Sequence, residues 1–175
     1  MHAVSDFLLG SDRLIALHMA QHLLLIALMA PLLAAFTRVS PHPVAAWIAF
    51  VATFLFWHWP GERNVGLKLV ELATILGTAY LFWSAAFARD KLGYGARALY
   101  VMTAAVAIDL PGVVMIFAPR VLCATGQENA AAFGLTPLQD QQIAGLLMWV
   151  PANLVFFSIA MVLFARWMSP QGVSA

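Results

Sequence analysis

Charge is what this sequence has least of. Lys, Arg, Asp and Glu make up 10% of its 175 residues, against about 25% in a soluble globular domain. Nine basic and eight acidic residues cannot cover a water-facing surface of this size, which excludes a soluble domain. A net charge of +1 with no dense basic patch excludes a nucleic-acid partner. Cys123 stands alone, so no disulfide framework forms within the chain. Hydrolase, phosphate-loop and dinucleotide motifs are missing. The segment His18-Met19-Ala20-Gln21-His22 has the two-histidine spacing of zinc proteases but lacks the glutamate that serves as their general base. No enzyme activity is expected.

What is present is apolar, 63% of the chain, and arranged in runs. The uncharged run Leu14 to Thr37 is long enough to cross a ~30 Å hydrocarbon layer at ~1.5 Å per residue. Met1 to Ser11 carries no Lys or Arg, so this run is expected to be a retained span rather than a signal peptide. The chain predicts an all-α membrane protein, a single transmembrane domain over 1–175, with about five spans at 13–37, 44–60, 69–88, 98–119 and 137–168. The second lies between Pro41-His42-Pro43 and Pro60-Gly61 and is at the short limit for a span. The fifth opens on Thr136-Pro137-Leu138-Gln139, a hydroxyl N-cap, a proline at the first helical position and a glutamine at the capping-box position. Residues Arg120 to Leu135 form the one long polar connection.

Five spans place the termini on opposite sides. The side holding Arg38, Arg89, Lys91, Arg97 and Arg166 has five basic residues against four on the other, Arg13, Arg63, Lys68 and Arg120. The positive-inside rule then predicts a periplasmic amino terminus and a cytoplasmic carboxyl terminus. The six tryptophans fall near span ends, where interfacial anchoring is expected.

Polar groups collect at one end. His18 and His22 share a helical face at i, i+4; His58 ends the second span; Glu71 opens the third, with Thr74 and Thr78 on its face. Asp140 lies in the first turn of the fifth, with Met148 further along the same face, and Asp109 interrupts the fourth ahead of Pro111-Gly112. Such groups are costly at membrane depth, so their convergence on one outer-leaflet cavity is a site hypothesis. An isolated histidine pair is explained by helix-to-helix hydrogen bonds at ~0.6 kcal/mol each. Three imidazoles from two helices also give the count that copper and zinc sites use, and a Met148 thioether suits copper in its lower oxidation state. Both readings stand at this point. Asp109 is expected either at a proline kink or paired with an imidazole or an arginine.

His18-Met19-x-Gln21-His22-Leu23-Leu24, Trp57-His58-x-Pro60, Glu71 with Leu81-Phe82-Trp83, and Asp140-Gln141-Gln142-x-x-Gly145-x-x-Met148-Trp149-x-Pro151 together resemble the multi-span CtaG family of cytochrome c oxidase assembly factors over about Leu17 to Trp167. The resemblance implies a bacterial cytoplasmic (inner) membrane protein that supports maturation of haem-copper terminal oxidases by handling copper for the binuclear centre. Its implied copper-side residues are His18, His22 and His58, with Glu71, Asp140 and Met148 as neighbours. Implied partners are oxidase subunits, the lipid bilayer and a periplasmic copper chaperone. The chain departs from the pattern in being shorter than relatives of about seven spans and in carrying Leu72 where many have a further histidine. Two other functions compete: a non-catalytic accessory subunit bound to a terminal oxidase or respiratory complex, and a bis-histidine carrier of b-type haem.

Overall fold

The computed structural model describes residues 14–37, 39–58, 65–122 and 130–169. Five helices account for nearly all of it: α1 (Ile15–Phe36), α2 (Pro43–Trp57), α3 (Val65–Phe87), α4 (Tyr94–Phe117) and α5 (Pro137–Met168). A 3₁₀ turn at Ala131–Phe133 precedes α5, and there is no strand among the described residues. Helices α1, α3, α4 and α5 are long and apolar enough to cross a membrane, and the chain is a multi-pass membrane protein. With 15 residues, α2 has a helical length of ~22 Å, short of a ~30 Å hydrocarbon layer. The expected second span, 44–60, therefore ends as helix at Trp57, and Trp59 and Pro60 lie outside the described residues. Helices α3 and α4 each start four residues ahead of the expected spans.

The outward faces are apolar and exposed at Val106, Leu110, Leu154 and Met161, as a lipid-facing surface requires. The interior is aromatic and fully buried at Phe50, Phe82, Trp83 and Phe156. The Phe82 ring lies 4.9 Å from that of Phe50 on α2 and 4.8 Å from that of Tyr100 on α4, and Trp83 lies 4.8 Å from Phe156 on α5. One pair of α3 residues thus joins three other helices.

Trp83 is not the interfacial anchor its place near a span end suggests. It has no exposure, and its indole N–H donates to Ile26 O on α1 at 2.8 Å. Sequence explains the vacancy at that carbonyl. Residues Leu24–Met29 run in π-helical register, which pairs each carbonyl with the N–H five residues on. For Ile26 that partner is Pro31, which has no N–H. The indole supplies the missing donor and fastens α3 to α1.

Helices α4 and α5 are held differently, by close backbone approach. A Cβ placed on Gly145 would meet Gly112 O at 2.7 Å and Ile116 Cγ1 at 2.9 Å. Small residues permit this separation, as in membrane helix pairs generally. Asp109 sits in the same seam, where Asn153 Nδ2 donates to its two oxygens at 2.8 and 2.9 Å. Its partner is an amide of α5, not an imidazole or an arginine, because the seam places Asn153 opposite it. The capping box opens α5 as expected: Gln139 N donates to Thr136 Oγ1 at 3.2 Å, and Thr136 N to Gln139 Oε1 at 2.8 Å.

Candidate metal centre

The site is assembled at the end of the bundle where α1 and α3 begin and α2 finishes. His18 and His22 occupy successive turns of α1, and their ring centroids lie 4.4 Å apart in an edge contact. Glu71, in the second turn of α3, reaches both: its Oε1 lies 3.3 Å from Nε2 of His18 and 3.3 Å from Nε2 of His22. His22 and Glu71 are almost fully buried, at 2% and 1%, while the His18 side chain keeps 20% exposure. Of these three side chains, His18 is the one that reaches the surface. A carboxylate in a low-dielectric interior is costly unless paired, and the two imidazoles are partners that offset this.

His58 approaches from the C-terminal end of α2. Its ring centroid is 5.3 Å from that of His22, and it stacks on Phe54 at 4.0 Å. Its Nδ1 is 2.7 Å from Phe54 O, which fixes the ring and leaves Nε2 buried without a hydrogen-bond partner among the described residues. Such a group costs ~1–3 kcal/mol if nothing binds it. Trp57 braces this corner, its indole N–H donating to Thr74 Oγ1 on α3 at 2.8 Å.

The donor set fits a transition-metal ion. One donor atom from each of His18, His22 and Glu71 can be chosen so that all lie within 4.8 Å of one another. Two donors sharing an ion at ~2 Å are at most about 4 Å apart, so side-chain shifts of about 1 Å bring them into range. His58 stands beside this group, its ring centroid 5.3 Å from that of His22.

Asp140, Met148 and Asp109 make other contacts. Asp140 is buried, yet its oxygens accept from Ile15 N at 2.8 Å and Ala16 N at 3.1 Å. From α5 it caps the first N–H groups of α1, whose N-cap residue is Leu14, and so holds the turn from which His18 projects. Met148 lies in the α4–α5 seam, its Cβ facing Gly112, and is part of the apolar core. Asp109 is engaged with Asn153 in the same seam. Cys123 lies outside the described residues.

Gln141, buried completely, is a structural hub that sequence reasoning passed over. Its Oε1 accepts from Leu122 N at 2.6 Å, and its Nε2 donates to Met115 O at 3.1 Å. It ties the exit of α4 to the first turn of α5, beside Asp140. The available signals were its place in the Asp140-Gln141-Gln142 block and an amide directly following the aspartate at a helix start.

A family model described as cytochrome c oxidase caa3 assembly factor (Caa3_CtaG) matches residues 34–169. The match takes in His58, Glu71, Asp140 and Met148 and begins after His18 and His22. No curated protein and no solved structure matches the chain.

Proposed function

The chain belongs to the cytochrome c oxidase caa3 assembly factor family, and on that basis we propose that it serves oxidase assembly by holding copper destined for the binuclear centre. The observation that carries this reading is the meeting of His18, His22 and Glu71 donor atoms within 4.8 Å, with His58 Nε2 buried nearby and without a hydrogen-bond partner among the described residues. Copper is cargo here, and no catalytic step is proposed. Imidazoles suit copper in either of its common oxidation states, while Glu71 supplies negative charge against the ion in a buried setting. Asp140 contributes through position, by capping the helix that carries two of the three imidazoles.

Accessibility supports a delivery role. His18 keeps 20% side-chain exposure while His22 is buried, so an ion would reach this pair past His18. We place this end on the periplasmic side from the five-to-four basic count, where a copper chaperone would meet it, in a bacterial inner membrane. The bis-histidine haem reading has less support, since rings 4.4 and 5.3 Å apart leave no slot for a macrocycle between them.

The test replaces His18, His22 and His58 together. This removes the ligands and leaves the lipid-facing helix surfaces that would dock on a partner. The expected result, at matched protein level and limiting copper, is an oxidase that contains haem but lacks binuclear-centre copper. Added copper should rescue it in part by mass action. Wild-type copper loading in that variant would overturn the copper reading and favour the accessory-subunit one.

A further inference from the structure

At the opposite end of the bundle lie three arginines, none of them in an ion pair with a described residue. Arg97, in the first turn of α4, is only 5% exposed, and its Nε donates to Ala86 O near the end of α3. Its guanidinium carbon lies 5.4 Å from the centroid of the Tyr94 ring, within cation–π range. The remaining guanidinium nitrogens make no hydrogen bond with a described residue. Arg89 leaves the end of α3 close by. Arg166 is brought in by its neighbour Trp167, whose indole would lie 3.1 Å from a Cβ on Gly95. The charges of Arg89 and Arg166 both act on Arg97.

None of the three is in an ion pair with a described residue. The neighbouring carboxylate, Asp90, is committed to the Ser40 hydroxyl, 2.8 and 2.7 Å from its two oxygens. Lys91 adds a fourth cation, tethered to Ser40 O at 2.7 Å. Gly93, the N-cap of α4, offers no side-chain acceptor to the helix's first N–H groups. Gathering like charges around a nearly buried guanidinium is unfavourable unless an anion completes the set.

We propose that this end binds the phosphate of an anionic phospholipid headgroup. Arg97 would grip the phosphate with its two terminal nitrogens, which match phosphate oxygens in a bidentate fork. Arg89 and Arg166 would close on it from the flanks, and the uncapped start of α4 adds its own favourable field. A lipid is favoured over a free anion because the adjoining surface is apolar and exposed at Leu99, Trp167 and Met168, where acyl chains would lie. Basic pockets between helix ends recognise anionic headgroups by this chemistry.

The experiment measures lipid retention by the purified full-length chain in native mass spectrometry, offering phosphatidylglycerol and phosphatidylcholine in turn. Preferential retention of phosphatidylglycerol is expected. R89Q and R166Q, both at exposed positions, should each weaken that retention about fivefold, the equivalent of ~1 kcal/mol per basic residue. R97Q should weaken it more; should that variant not fold, the two exposed variants carry the test. Equal retention of the two lipids would overturn the proposal, as would unchanged phosphatidylglycerol retention in the R89Q/R166Q double variant. Displacement of the lipid by excess inorganic phosphate would also overturn it, by assigning the site to a free anion.

Discussion

The two halves of the bundle treat buried polar groups in opposite ways. In the α4–α5 seam the polar groups fasten helix to helix: Asp109 accepts from Asn153, whose own Oδ1 has no hydrogen-bond partner among the described residues, and Gln141 on α5 bonds backbone of α4 and its exit. Glycines 112 and 145 bring the backbones close enough for this. Across α1, α2 and α3 the polar side chains face one another instead. Two imidazoles share one carboxylate oxygen, and a third imidazole presents a nitrogen with no hydrogen-bond partner among the described residues. A membrane protein bears the desolvation of polar groups either to fasten helices or to bind something. The seam is the first case, and the histidine end has the form of the second.

The sharpest way to break this contrast is His22→Leu. His22 is the most central of the three imidazoles, in ring contact with both others. Losing it should weaken copper binding at least as much as loss of a supporting outer-shell group does, ~10- to 100-fold. Isothermal titration with a copper competitor reads this directly, and an unchanged affinity would place copper somewhere else. The converse change, Gly145→Val, should act on the fold and leave copper alone. With Gly112 O only 2.7 Å from the first added carbon, the helices must part, at a cost of ~1–3 kcal/mol. Thermal unfolding in detergent should shift while copper bound per folded chain stays constant.

Asp140→Asn tests the link between the halves. The substitution keeps the shape but weakens the carboxylate cap on Ile15 N and Ala16 N by removing its charge, a loss of ~0.3–1 kcal/mol. Copper affinity should fall by less than in His22→Leu, and hydrogen exchange in the first turn of α1 should rise. If copper affinity fell as far as in His22→Leu, Asp140 would be a ligand rather than a cap.

The smallest effect belongs to Asp90. The Ser40 hydroxyl holds its carboxyl below the ordinary carboxylate range. A group depressed in the folded state stabilises above its unfolded value and loses that contribution as pH falls through the folded one. Stability of the wild-type chain should therefore drop slightly more than that of Ser40→Ala as pH falls through and below the carboxylate range. Both groups are exposed, so the difference should be small, and a larger drop in Ser40→Ala would contradict the assignment.

The helices were legible because hydropathy and charge mark lipid-facing runs without regard to partners. The histidines were legible because spacing of four puts two imidazoles on one face, and Glu71 because a carboxylate at a span's start is rare enough to notice. The polar groups that misled did so because a sequence marks a residue and not the neighbour that satisfies it. Asp140 answers backbone N–H groups of α1, which carry no side-chain signature. Trp83 looked interfacial, yet a proline 52 positions earlier had left it a carbonyl to cap. Asp109 and Asn153, 44 residues apart, meet only because two glycines allow their helices to touch.

The central claim is that the histidine end binds copper, and the most direct measurement is copper per chain in the purified protein after loading and removal of excess metal. The account predicts one tightly held ion in the wild type and none in the variant lacking His18, His22 and His58, with both proteins folded to the same helical content. Equal copper in the two proteins, or none in either, would contradict it.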